Sequence, residues 1–250
     1  NAKTGVMKWR YQPEMPKNVD QFACCDVDNR GVAYANGKIF VGRLDAKLTA
    51  LDAKTGKELW TSTVVDYTQG SAITSPPTIV KNLVVTGFAG GEYGVRGAIV
   101  AFDQNSGKEV WRTRLARWQD GYSITSAPLY YNGVIYTGIA GGDRSARGFV
   151  AALDAKTGKE NWRFWTVPAP GEYGSHTWPS PNDPDPDKAN AWKVGGSNVW
   201  QTPAIDPELG LLYFSTGQPG PTAIGVGAKR PGENWFSSSI VAITLDGKYK

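Results

Sequence analysis

One nine-residue phrase returns along this chain at a fixed spacing. Asn1-Ala2-Lys3-Thr4-Gly5-Val6-Met7-Lys8-Trp9 recurs as Asp52-Ala53-Lys54-Thr55-Gly56-Lys57-Glu58-Leu59-Trp60, with Trp60 51 residues after Trp9. It recurs again as Asp103-Gln104-Asn105-Ser106-Gly107-Lys108-Glu109-Val110-Trp111 and Asp154-Ala155-Lys156-Thr157-Gly158-Lys159-Glu160-Asn161-Trp162. A repeat of this length marks one supersecondary unit stacked on itself, because a single copy cannot bury its own apolar face.

Each copy carries the same further signals. A short apolar run ends in glycine: Ile39-Phe40-Val41-Gly42, Leu83-Val84-Val85-Thr86-Gly87 and Val134-Ile135-Tyr136-Thr137-Gly138. A second run enters the aspartate turn: Leu48-Thr49-Ala50-Leu51, Ala98-Ile99-Val100-Ala101-Phe102 and Phe149-Val150-Ala151-Ala152-Leu153. The turn glycine suits a left-handed backbone, and the strand bearing the tryptophan follows it. Helical periodicity is absent. Four short strands in each unit predict an all-β fold, a β-propeller of four-stranded, W-shaped blades. The repeated tryptophans are expected as wedges between blades, part of the core rather than ligands.

About four blade-lengths are present, the last enlarged by a long loop over 168–192. Residues 1–250 read as one partial propeller, incomplete at both ends, with the remainder of the ring as a further partner. The loop, with its alternating Asp183, Asp185 and Asp187 between prolines, reads as solvated rather than as a calcium loop.

Composition then narrows function. The net charge is +4, from 27 basic and 23 acidic residues without a polybasic block, which argues against nucleic-acid binding. No run approaches the roughly 18 apolar residues of a membrane span. His176 is the single histidine, so histidine-based triads and multi-histidine metal sites are nearly excluded. The only two cysteines, Cys24 and Cys25, are adjacent. Neighbouring Cα atoms lie about 3.8 Å apart, closer than an ordinary disulfide allows. Composition alone favours two free buried thiols, with a strained vicinal bond as the alternative.

Cys24-Cys25-Asp26-Val27-Asp28-Asn29-Arg30-Gly31 resembles the signature of the alcohol dehydrogenases that use pyrroloquinoline quinone (PQQ), and the likeness runs over essentially the whole chain. That resemblance implies an eight-bladed propeller in which PQQ lies between a Cys24–Cys25 disulfide and the indole of Trp200, with a calcium ion or a lanthanide against the quinone. It implies that Arg30 and Thr74 meet the anionic groups of the cofactor, which suits a permanent bidentate donor facing carboxylates. Gly90-Gly91-Glu92-Tyr93-Gly94-Val95-Arg96-Gly97 is similar to the family's metal loop, with Gly90 and Gly91 beside the cofactor and Glu92 as a ligand. Gln218 stands where the family has an asparagine ligand; its extra methylene displaces the oxygen.

A second departure is a duplication. Thr125 and Asp143, in Ser123-Ile124-Thr125-Ser126 and Gly141-Gly142-Asp143-Arg144, repeat the Thr74 and Glu92 features one blade later. Motif quality and distance from the cysteines favour Thr74 and Glu92; order relative to Trp200 favours Thr125 and Asp143. The sequence reading takes Thr74 and Glu92.

The activity implied is alcohol oxidation, with a cytochrome c or haem domain as electron acceptor and the periplasm as compartment. No catalytic residue is assigned on this chain, and turnover by the chain alone is not expected. The rival reading is a non-enzymatic propeller scaffold for protein interaction, which shares the tryptophan repeat but has no use for Cys24, Cys25, Arg30, Glu92 and Trp200 as a set.

Overall fold

The computed structural model describes every residue except Ala2, 24–27, 91–92, Arg96, 118–120, Ser145, 221–229 and Lys250. Its strands form four antiparallel meanders in chain order. The first sheet holds β1 (Ala33–Ala35), β2 (Lys38–Gly42), β3 (Lys47–Asp52) and β4 (Glu58–Thr63). The second holds β5 (Thr78–Val80), β6 (Leu83–Thr86), β7 (Ala98–Asp103) and β8 (Glu109–Arg114). The third holds β9 (Leu129–Tyr131), β10 (Val134–Gly138), β11 (Phe149–Asp154) and β12 (Glu160–Trp165). In the fourth, β13 (Ala204–Asp206), β14 (Leu211–Ser215) and β15 (Ile240–Thr244) pair in order, and Tyr249 bridges back to Ile243. β1 packs beside β5 and β5 beside β9, so the first strands of the first three sheets lie side by side. This is the propeller arrangement the repeat predicts.

The middle strands are largely apolar because both faces are covered. In the second sheet Val84, Val100 and Phe102 pack toward Phe40, Leu48 and Ala50 of the first. The alternate residues Val85, Ile99 and Ala101 pack toward Ile135, Phe149 and Leu153 of the third. A third cluster joins Tyr136, Val150 and Ala152 to Leu212, Phe214, Val241 and Ile243.

The repeated phrase explains how sheets are spaced. Asp52 accepts hydrogen bonds from the Lys54 and Thr55 amides and the Thr55 hydroxyl, closing the turn between β3 and β4. Asp103 and Asp154 make the same set with Ser106 and Thr157. The tryptophan of one sheet then lies on the turn glycine of the next. A Cβ added at Gly56, Gly107, Gly158 or Gly247 would come within 2.5–2.7 Å of Trp9, Trp60, Trp111 or Trp162 respectively. The indole nitrogens of Trp9, Trp60 and Trp162 donate to the carbonyls of Ala53, Gln104 and Leu245 at 3.0–3.2 Å.

The 168–192 segment contains no strand, as expected, but it is not structureless. Asp185 caps a single helical turn, α1 (Pro186–Ala189), by accepting from the Asp187 amide, and Pro186 opens it. Arg147 anchors the segment: its guanidinium lies 4.2 Å from the Trp165 ring centre and 5.0 Å from that of Trp192, and pairs with Glu172 at 3.1 Å.

Candidate functional site

The glycine at or just after the end of each second strand positions the candidate site. Ile73, Ile124 and Val199 press onto Gly42, Gly87 and Gly138, so closely that an added Cβ would meet them at 1.9–2.6 Å. The residue after each is thereby fixed at the same place in its sheet: Thr74, Thr125 and Trp200, four positions before β5, β9 and β13. These residues form a connected row. Arg30 donates to the Thr74 hydroxyl at 2.7 Å while its amide donates to the Thr74 carbonyl at 2.8 Å. The Ser75 hydroxyl donates to the Thr125 carbonyl, and the Thr125 hydroxyl donates to the Trp200 carbonyl at 3.3 Å.

The duplicated glycine loops are conformational copies. Ala72 pairs with Ala89 as Ser123 pairs with Ala140. The Tyr93 and Val95 amides donate to the Gly90 carbonyl as the Arg144 and Ala146 amides donate to that of Gly141. Both glycines have positive φ, +128° and +109°, and each faces a carbonyl (Gly70 or Gly121) that a Cβ would strike. The copies differ in what the next sheet presents to them. Ser123 and Thr125 precede β9 where Asn198 and Trp200 precede β13.

The second copy opens onto a cavity of about 440 Å³. Thr125, Gly142, Asp143, Asn198, Trp200 and Gln218 all contribute to its wall. The Gln218 amide nitrogen lies 3.5 Å from an Asp143 carboxylate oxygen. Trp200 is 53 % exposed, an uncovered indole beside the cavity. Asn198 is 3 % exposed, and both polar atoms of its side chain lack a hydrogen-bond partner. Its backbone is held from two sides: its carbonyl accepts from the Gly217 amide at 2.9 Å, and the neighbouring Ser197 amide donates to the Gln218 carbonyl at 3.0 Å.

The structure therefore groups the sequence-predicted residues in two places along one row. Arg30 and Thr74 are in contact, with Arg30 also paired to Asp28 at 2.6 Å. Gly90 forms the turn of the first loop. Trp200 and Gln218 share the cavity with Thr125 and Asp143, the alternative pair. Cys24, Cys25, Gly91 and Glu92 lie outside the described residues. The sequence motifs assign no role to Asn198. The available signal was a carboxamide two residues before the tryptophan and two residues after the glycine pair 195–196.

Comparisons with known proteins bear on the family and the fold. Residues 112–249 match the family described as "PQQ: Glucose/ethanol/alcohol dehydrogenase, beta-propeller domain". Residues 1–163 match the family described as "Outer membrane protein assembly factor BamB". The chain is 37 % identical to a lanthanide-dependent methanol dehydrogenase of Methylacidiphilum fumariolicum, over 96 % of this chain and 32 % of that protein. It is 35 % identical to a quinohemoprotein alcohol dehydrogenase, ADH IIB, of Pseudomonas putida, over 98 % of this chain and 29 % of that protein. Among solved structures, the quinohemoprotein alcohol dehydrogenase of Comamonas testosteroni superposes with a TM-score of 0.73 at 27 % identity. That superposition covers 90 % of this chain and 35 % of the other. The chain thus spans about a third of the length of the relatives it matches. The BamB match falls on the tryptophan repeat and stops before Asn198, whereas the dehydrogenase match includes Asp143, Asn198, Trp200 and Gln218. Fold, repeat and cavity-lining segments together establish that the chain belongs to the PQQ glucose/ethanol/alcohol dehydrogenase β-propeller family.

Proposed function

We propose that this chain is the cofactor-binding part of a PQQ-dependent dehydrogenase that oxidises an alcohol, with a calcium ion or a lanthanide beside the quinone. The observation that carries the reading is the cavity in which an exposed indole, a carboxylate and two carboxamides converge. The residues fit such a ligand. Asn198 is an orphaned buried amide facing the cavity, and Asp143 and Gln218 add the oxygen donors that a hard cation prefers. When bound, the quinone accepts the hydride equivalent lost by the alcohol.

The chain's own residues divide the work of binding. The Trp200 ring offers a flat apolar surface to a planar heterocycle. Arg30, 54 % exposed and braced by Thr74 and Asp28, offers a permanent cation to carboxylate groups. Asp143 and Gln218 hold the metal, and Thr125 fixes the carbonyl of Trp200. Ser123 and Thr125 precede β9 where Asn198 and Trp200 precede β13, so the carboxamide and the indole stand beside Asp143, which favours Asp143 as the metal carboxylate. A Cys24–Cys25 bond and a periplasmic setting complete the reading, with a cytochrome c or haem domain as acceptor. No general base is assigned, and the chain alone binds without turning over.

Equilibrium dialysis of PQQ against the chain with Ca²⁺ tests this. One equivalent of bound quinone is expected, with binding weakened in Asp143→Ala and retained in Glu92→Ala. Absence of quinone uptake by the unaltered chain would favour the scaffold reading.

A further inference from the structure

The side chain of Asn198 has two polar atoms, each nearly inaccessible to solvent and each without a hydrogen-bond partner. Folding has stripped both of water without compensation, which disfavours the folded state unless a ligand satisfies them. The backbone on either side is pinned by the Gly217 and Gln218 bonds, so the residue cannot swing outward without breaking them. Its Oδ1 sits against the glycine next to Asp143: a Cβ built at Gly142 would fall 2.4 Å from it. The φ of +52° at Ser197, a left-handed value unfavourable for a residue with a Cβ, belongs to the turn that aims Asn198 inward.

Residues with oxygen-bearing side chains from three separate segments thus line one cavity: Asp143 from the loop after β10, Asn198 before β13 and Gln218 after β14. No group of three or more histidine, cysteine, aspartate or glutamate side chains gathers among the described residues, at this cavity or elsewhere. A cation bound here takes one carboxylate and completes its shell with neutral oxygens, the kind of donor calcium accepts.

We propose that the Asn198 carboxamide oxygen is a direct ligand of the metal ion, making Asp143, Asn198 and Gln218 a three-residue cation site. The inference rests on the metal placement proposed above and extends it to a residue with no assigned role. The Asn198 amide nitrogen remains as a donor to an anionic oxygen of a neighbouring ligand.

Tb³⁺ is a suitable probe, because Trp200 lines the same cavity and sensitises its emission. The whole 250-residue chain is titrated with Tb³⁺ under tryptophan excitation, with Ca²⁺ as competitor. Saturable emission displaced by Ca²⁺ is expected, with affinity reduced about tenfold or more in Asn198→Ala. Asn198→Asp retains binding. Metal-free Asn198→Ala melts no lower than the unaltered chain, because it loses only unpaired groups. Unchanged affinity in Asn198→Ala, no saturable emission from the unaltered chain, or a lowered melting temperature of the metal-free variant would each overturn the assignment. PQQ uptake followed in parallel separates the two proposals. Quinone binding with Asn198-independent cation affinity removes the ligand role alone. Asn198-dependent cation affinity without quinone binding removes the dehydrogenase reading and leaves the cation site.

Discussion

At the scale of single residues, the aspartate of each repeated turn is a capping group. Hydrogen bonds from Thr55 hold the Asp52 carboxyl below its ordinary value; Ser106 does the same for Asp103, and Thr157 for Asp154. A carboxyl whose folded value is depressed stabilises the fold above its unfolded value of about 3.9, and that stabilisation fades as pH falls through the folded value. The triple variant Asp52→Asn, Asp103→Asn, Asp154→Asn is expected to show a flatter loss of stability below about pH 4 than the parent, read from urea midpoints across pH. An unchanged acid slope would contradict the capping role. These aspartates were legible in the sequence because their partners are three residues away. Asn198 was not, because its significance lies in bonds it does not make and in a loop some fifty residues distant.

At the scale of elements, the tryptophan strand and the turn glycine of the following sheet act as one joint. Trp111 is 9 % exposed and lies against Gly158, whose φ is +73°. Trp111→Ala is expected to cost about 3–5 kcal/mol, the range for emptying a buried aromatic site, measured by chemical denaturation. Gly158→Ala both strains a left-handed turn and drives a methyl group into the indole. Because the two residues share one contact, the double variant should be less destabilised than the sum of the singles. Additive losses would show that the indole and the turn act independently. The joint follows from spacing alone, which is why the strands and their partners could be read in advance. The turn α1 could not: four residues capped by Asp185 leave no periodic signal among the prolines.

At the scale of the whole molecule, the repeat predicted successive antiparallel sheets with both faces buried, and the structure has them. What the repeat could not reveal was which of two near-identical glycine loops serves the site. Local sequence favours the Glu92 copy, because its motif is fuller and nearer the cysteines. Tertiary order favours the Asp143 copy, because among the described residues that loop lines one cavity with Asn198 and Trp200. Near-duplicate blades make such a choice invisible to motif matching, since it depends on the neighbour rather than on the loop itself. The most direct measurement is a crystal structure of the chain soaked with PQQ and Ca²⁺, with the metal located by anomalous scattering. The account predicts a single metal peak among the oxygens of Asp143, Asn198 and Gln218, with the quinone plane against Trp200. A peak at the Glu92 loop, or a quinone lodged away from the indole, would contradict it.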